Sequence, residues 1–395
     1  MCTICLGKEY NITTKGDHLS SENRNTKEIL NAWLLALLKY QGTDLHVKSN
    51  APVRARIQGE IKVLGQSDVN ASTVEDIVKL ITASAYSDFM DNKEYDGAYM
   101  LNEQYRFRVN IYLHQTGYGL NLRLIKNKIL TIEELNLPPV LHKLAKLERG
   151  LVLITGTTGS GKSTLLASII EEINQTYNKH IITIEDPIEY TYKDKKSIIE
   201  QREIGMHTKN FSTALRSSMR EDPDIIVVGE IRDLATAESI LQAVNTGHLV
   251  FSTVHTIDAK ETIDRMISIF PTEEQSRVRA TLASSLEAVI SQRLIKGKAG
   301  IMIPSVEIMF KSLLIQDLIR NNKDNEINEY MSQDKQSLGS QTFNQSLYDL
   351  VITDKISEET AYKYASSIAD LKLMLSLSDT NISNQEKELT LKETD

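Results

Sequence analysis

Gly156-Thr157-Thr158-Gly159-Ser160-Gly161-Lys162-Ser163 fits the pattern G-x-x-x-x-G-K-[ST], and its setting decides the fold of this 395-residue chain. The apolar run 151–155 before it reads as a buried parallel strand, and 163–173 after it reads as a helix. An accidental glycine turn would lack that strand and helix. Glycines at these positions let successive backbone N–H groups turn inward around phosphates, at the positive end of the helix dipole. Thr158, Gly159, Ser160, Gly161 and Thr164 then line a triphosphate such as ATP. Lys162 reaches its β/γ-phosphates, and the Ser163 hydroxyl holds Mg2+.

Length and composition allow more than one core, so two domains are expected. Lys and Arg total 45 against 53 Asp and Glu, a net charge of -8 that offers no global attraction for nucleic acid. The only cysteines, Cys2 and Cys5, are too few for a disulfide framework and fit a reducing compartment. Their C-x-x-C spacing is half of a zinc site with no second pair, or two thiols on a solvated arm. No apolar run approaches a membrane span, and no signal peptide is indicated, so a cytoplasmic location is expected.

Residues 1–25 read as a disordered arm. A smaller α+β domain follows over 26–126. A helix runs from Lys27 to Tyr40 with Ile29, Trp33, Ala36, Leu37 and Tyr40 on one face. Val53, Ala55 and Ile57 alternate with Arg54 and Arg56, and a turn at Gln58-Gly59 leads to Ile61 and Val63. Ser72 and Glu75 form a capping box ahead of Val74, Ile77, Val78 and Ile81. Tyr105, Phe107, Val109 and Ile111 point one way on a strand, as do Leu120, Leu122 and Leu124 on the next. Residues 127–139 read as a linker with a short helical piece. From 140 to 377 apolar strands at 151–155, 180–184, 225–229 and 248–253 alternate with helices, the grammar of an α/β domain with a mainly parallel sheet covered on both faces. Pro271, Thr272 and Gln275 open a further helical region running through Leu294, and 378–395 read as a disordered tail.

Ligands of open parallel sheets bind at the C-terminal ends of strands, so acidic and histidine residues there are the candidates for chemistry. Glu185 follows one strand within Glu185-Asp186-Pro187-Ile188-Glu189, and Glu230 follows another within Glu230-Ile231-Arg232-Asp233. Phosphoryl transfer needs a carboxylate near Mg2+ and one to orient water, because its transition state is stabilised mainly by charge and positioning. Glu230 follows an almost wholly apolar strand, the Walker B setting, and Glu185 serves either the metal or the water. A helix cap or solvated loop is the bland reading of each. His248 and His255 flank one strand and are candidates to sense the γ-phosphate or an adjoining subunit, against a structural role. By strand parity Arg106, Arg108 and Arg123 leave the core for the opposite sheet face. They are either solvated there or reach a nucleotide as arginine fingers. Lys193, Lys195 and Lys196 read as a solvated turn.

Together these motifs resemble the type IV pilus retraction, or twitching-motility, ATPases of the PilT/PilU family within the secretion-ATPase superfamily. The resemblance rests on Thr43-Asp44-Leu45-His46, GTTGSGKST, TIEDPIEY, REDPDIIVVGEIRD, TGHLVFSTVHT and SQRLIKGKAG, and runs from about Thr26 to Leu377. It implies a PAS-like N-terminal domain, a RecA-like P-loop ATPase domain and a homo-hexameric ring that powers pilus retraction. It also implies an inner-membrane platform protein as partner, peripheral association with that membrane, and a sister retraction ATPase. Residue by residue, Lys162 and Ser163 match the phosphate and Mg2+ contacts, Glu230 the catalytic glutamate, Glu185 the aspartate-box acid, and His248 with His255 the histidine box. Arg106, Arg108 and Arg123 fall where the family has its N-domain arginines.

The stretch 313–321 only partly matches the family's A-I-R-N-L-I-R-E signature, and SLGSQTFNQSLYDLV with the helical stretch through Ala369-Asp370-Leu371 is closer to PilU, which suggests an accessory motor. The two-pair cysteine motif of pilus assembly ATPases is missing, against an extension motor, and a pilus assembly or type II secretion ATPase is the alternative within the superfamily. A RecA-like nucleic-acid motor would need a local basic stripe that the acidic balance does not favour. A module that binds ATP without turning it over is the non-enzymatic alternative.

Overall fold

The structure is a computed structural model that describes residues 21–102, 105–125 and 128–377. Cys2, Cys5, most of the expected arm and the expected tail lie outside the described residues. The chain forms two compact units, Met1–Lys126 and Asn127–Asp395.

The first unit begins with α1 (Ser21–Lys39), followed by β1 (Gly42–Lys48), β2 (Ala51–Ile57) and β3 (Glu60–Val69). Then come α2 (Ala71–Thr82), α3 (Tyr86–Asn92), β4 (Glu94–Asn102), β5 (Tyr105–His114) and β6 (Gly117–Ile125). Its six strands run in the order β3-β2-β1-β6-β5-β4, every neighbouring pair antiparallel. One face is buried, where Leu45, Val47, Phe107, Val109, Ile111, Leu120 and Leu122 cluster with Leu30, Leu34 and Leu37 of α1 and Val74, Ile77 and Val78 of α2. Four expectations are corrected here. Helix α1 starts at Ser21, inside the expected arm. Its buried stripe is Leu30, Leu34 and Leu37 rather than the Ile29, Trp33, Ala36 and Tyr40 face, because the i, i+4, i+7 leucines bury more completely. The cap of α2 is Asn70, whose Oδ1 accepts the Thr73 N–H at 2.8 Å. The expected capping pair is diverted: Ser72 donates to Asn70, and Glu75 pairs with Lys79. Asn caps as well as Ser, and β3 ends one residue before it. Finally, Ile61 and Val63 are exposed on β3, at the sheet edge.

In the second unit β7 (Gly150–Thr155) leads through the glycine loop into α4 (Lys162–Thr176), then β8 (His180–Glu185) and β9 (Ile198–Glu203). Next are α5 (Phe211–Ser218), β10 (Ile225–Val228), α6 (Leu234–Asn245), β11 (Leu249–Val254), α7 (Ala259–Ser268) and α8 (Gln275–Ser285). The unit continues with β12 (Leu286–Lys296), β13 (Met302–Phe310), α9 (Leu313–Arg320), α10 (Ile327–Gln333), α11 (Phe343–Ile352) and α12 (Glu358–Tyr364). The sheet order is β13-β12-β7-β11-β10-β8-β9, parallel throughout except for β13 against β12. Alternate residues of β7 enter two cores, Leu151 and Leu153 on one face and Val152 and Ile154 on the other. That double burial is why the strands read as unbroken apolar runs.

Two sequence expectations change. Residues 286–296 form β12, not helix: α8 runs into the strand with no glycine or proline between them, and a short apolar run fits either structure. Within the stretch read as a linker, Ile132 and Leu137 are buried in the second unit's core. The lysine run is tied down as well. Buried Asn174 of α4 donates to the Lys193 carbonyl at 2.8 Å and accepts the Lys195 N–H at 3.1 Å, while the Lys195 ammonium pairs with Glu171.

Candidate functional site

The glycine loop is shaped by its backbone. Gly159 and Gly161 have φ of 78° and 93°, where a side chain is strained. Gly161 is also pressed by β12, since a Cβ there would lie 2.5 Å from Gln292 Nε2. Gln292 in turn donates to the Ser160 carbonyl at 2.9 Å, so β12 fixes the outer wall of the loop. Lys162 is buried and arches back over the turn, its Nζ donating to the carbonyls of Gly156 at 2.8 Å and Thr157 at 3.1 Å. Burial pulls its ammonium down, and the charges of Glu189 and Glu230 oppose that shift. An arriving phosphate would add anionic charge where the ammonium lacks water. The Ser160 hydroxyl is buried without a hydrogen-bond partner among the described residues. These features fit a loop made to receive oxygen acceptors and donors from outside the chain.

The loop opens on a cleft of about 620 Å3 whose wall includes Thr158, Gly159, Gly161, Lys162, Ser163 and Thr164 together with Glu185, Glu189, Glu230 and His255. All these residues belong to the second unit. Glu185 ends β8, where its Oε1 accepts from Thr183 Oγ1 at 2.6 Å and Gln201 Nε2 at 3.1 Å. Burial pushes its carboxyl up from the ordinary glutamate value, while those two donors pull the other way. Glu230 follows β10 and is buried, with Arg232 Nη2 on its Oε1 and His255 Nε2 3.4 Å from its Oε2. A carboxylate contacted at both oxygens by nitrogen groups has a fixed plane, which is what aiming at one attacking water requires. Thr164 Oγ1 and the Tyr190 hydroxyl meet at 2.8 Å, joining the start of α4 to the segment after β8.

His248 is not in this site. It precedes β11 while His255 follows it, so a parallel strand puts them at opposite edges of the sheet, roughly 20 Å apart at about 3.3 Å per residue. Its Nδ1 lies 3.0 Å from both the Ala243 carbonyl and Thr246 Oγ1, which makes it a structural closure of the α6–β11 turn. Arg106, Arg108 and Arg123 share the unburied face of the first unit's sheet, as parity required, with Arg108 opposite Arg123 in register. That face carries its own anions. Arg123 Nε donates to Asp44 Oδ1 at 2.6 Å, and Arg108 Nη2 lies 3.9 Å from Asp96. The Arg123 side chain is 71% exposed while its partner Asp44 is buried, so the guanidinium also serves to hold a buried carboxylate ionised.

Sequence reasoning missed Gln201 and Gln292, which sit on strands it did not place. Gln201 holds Glu185, donates to the Tyr190 carbonyl at 2.8 Å and accepts the Tyr192 N–H at 3.0 Å. A neutral amide carries no spacing signal, and only the paired strands bring it to the carboxylate.

A phosphate loop at the C-terminal edge of a mainly parallel sheet, with carboxylates ending the neighbouring strands, defines a P-loop nucleotide-binding protein. The chain belongs to the type II/IV secretion system protein family, whose description matches residues 20–386. It is 42% identical over 334 residues to the type IV pilus retraction ATPase PilT of Pseudomonas aeruginosa, covering 84% of this chain and 97% of that one. To the type IV pilus ATPase PilU of the same organism it is 34% identical over 363 residues, covering 90% and 94%. A crystal structure of the pilus retraction motor PilT with bound ADP superimposes with a TM-score of 0.81 at 38% identity, over 87% of this chain and 98% of that one.

Proposed function

We propose that this chain is a Mg2+-dependent ATPase acting as a hexameric ring that powers type IV pilus retraction, with a PAS-like first unit and a RecA-like second unit. The observation that carries the reading is the meeting, in one cleft, of buried Lys162 with Glu230 held between Arg232 and His255. Near-full-length similarity to PilT supports the biological role. Backbone N–H groups of 158–164 and the Lys162 ammonium bind the β- and γ-phosphates. Ser163 and Glu185, in the same cleft, would hold Mg2+ by their oxygens, the donor type that this ion takes. Mg2+, when bound, neutralises charge on the phosphate oxygens. Glu230 orients and deprotonates the attacking water, and His255 keeps Glu230 aimed. Further positive charge as the bond breaks would come from an arginine finger, and Arg106, Arg108 and Arg123 are the candidates, within the chain or across a subunit boundary, against a solvated sheet face. His248, outside this cleft, keeps its other candidate role, contact with an adjoining subunit. The inner-membrane platform protein and a sister ATPase are the proposed partners, with peripheral attachment at that membrane.

The test is deletion of this chain's gene followed by twitching assays and pilus counts. Surplus surface pili without motility identify the principal retraction motor, and normal pili with reduced retraction force identify an accessory one. Normal pili with normal motility would overturn the reading.

Glu185 adds a pH dependence. In the unliganded site its raised carboxyl loses the ionised form as pH falls through a value above the ordinary 4.5, so the acid limb of kcat/KM, which reports the free enzyme, should lie above that value. Glu185→Gln should flatten that limb in a stopped pH–rate profile. A limb that persists unchanged in Glu185→Gln assigns the titration to another group.

A further inference from the structure

The loop His255–Asp258 between β11 and α7 carries the histidine that faces Glu230, and it is held from two directions. From α7 itself, the Asp258 side chain accepts the Glu261 N–H, Thr256 and Thr262 hydroxyls meet at 2.7 Å, and Glu261 accepts the Ile257 N–H at 2.9 Å. From outside that helix come two side chains on the paired strands β12 and β13. Glu307 Oε1 accepts the Ala259 N–H at 2.8 Å, and Arg293 Nη2 lies 3.4 Å from the Ile257 carbonyl.

Both side chains also face the C-terminal helices. The Arg293 guanidinium lies 3.8 Å from the Phe343 ring centroid, at the start of α11, and its Nη1 donates to the Tyr364 carbonyl, at the end of α12, at 2.8 Å. Glu307 is 4% exposed. Burial pushes its carboxyl up to about 7, Asp258 pushes the same way, and the Ala259 and Phe343 N–H groups and Arg293 oppose. A buried carboxyl is costly to keep, and here it has two helix N-termini and one guanidinium to face. Neither residue lines the nucleotide cleft.

We propose that Glu307 and Arg293 are positioning residues that fix the loop presenting His255 to Glu230 and tie that loop to α11 and α12. The proposal rests on the hydrolytic reading above for its effect on turnover, and on geometry alone for its effect on the loop. It predicts that turnover depends on the tie while nucleotide affinity does not.

The test uses the full-length protein, with steady-state ATP hydrolysis, ADP affinity and amide hydrogen exchange measured on each variant. Glu307→Ala should lower kcat about tenfold or more with the Kd for ADP within about threefold of wild type. Glu307→Gln, which keeps an oxygen for the Ala259 N–H, should return kcat to within about threefold. Arg293→Lys keeps the charge without the fork, and should lower kcat about fivefold while speeding exchange at 256–260 and in the first turn of α11, with α4 unchanged. Loop exchange is read whether or not the protein turns over ATP, so failure of the hydrolytic reading and failure of the tie are separable. Unchanged loop exchange in Arg293→Lys would overturn the tie, as would a Glu307→Gln as impaired as Glu307→Ala, or an ADP affinity that falls in step with kcat. Where Glu307→Ala does not fold, Glu307→Gln and Arg293→Lys decide the matter by the same readings.

Discussion

Glu230→Gln should lower kcat for ATP hydrolysis about 10²–10³-fold while ADP and ATP bind with affinities within about threefold of wild type. The substitution keeps the size of the side chain and one oxygen, so the buried position after β10 is not emptied. What it removes is the proton acceptor. It also replaces an anion that touches Arg232 on one oxygen and His255 on the other, and an amide can satisfy only one of these donors with its remaining oxygen. Loss of turnover with retained nucleotide binding, read by phosphate release and by fluorescent-nucleotide titration, is therefore the expected signature. Wild-type turnover in this variant would remove Glu230 from the chemistry.

Lys162→Ala should act one step earlier. The buried ammonium closes on the loop through the Gly156 and Thr157 carbonyls, and charge-assisted contacts of this kind are worth about 1.5–3 kcal/mol each. Losing it should weaken ATP binding about a hundredfold or more, with turnover falling to background. It should also leave Glu189 and Glu230 facing the cleft without their nearest opposing charge inside the loop. Calorimetric titration with ATP checks the first effect. Full binding by Lys162→Ala would mean that the loop holds triphosphate by its backbone alone.

The glycine loop and its flanking strand and helix were legible because each follows a local rule: a doubly buried strand, positive-φ glycines and a helix N-terminus occur within a few residues of one another. Glu185 and Glu230 were legible for the same reason, as the first polar residues after apolar strands. The two histidines show the limit. Their spacing suggested a shared site, but strand direction separates them, and direction is a property of pairing with β7 and β10 rather than of the segment. Asn70 displaced the expected capping box because Asn and Ser compete for one geometric role, and the end of β3 chose between them. Gln201, Gln292, Arg293 and Glu307 were out of reach, since each acts through a partner more than ten residues away in sequence.

The order β13-β12-β7-β11-β10-β8-β9 divides the second unit's labour around β7. On the side of β11, β10 and β8 stand His255, Glu230 and Glu185. On the side of β12 and β13 stand Gln292, which walls the phosphate loop, and Arg293 and Glu307, which brace the loop bearing His255 and face the helices that follow. The two stretches whose sequence suggests an accessory motor, α9 and the region around α11, both follow β13. A motor built this way would carry a load on its outer helices to the loop that aims His255 through Arg293 and Glu307, and leave the phosphate loop's own frame in place.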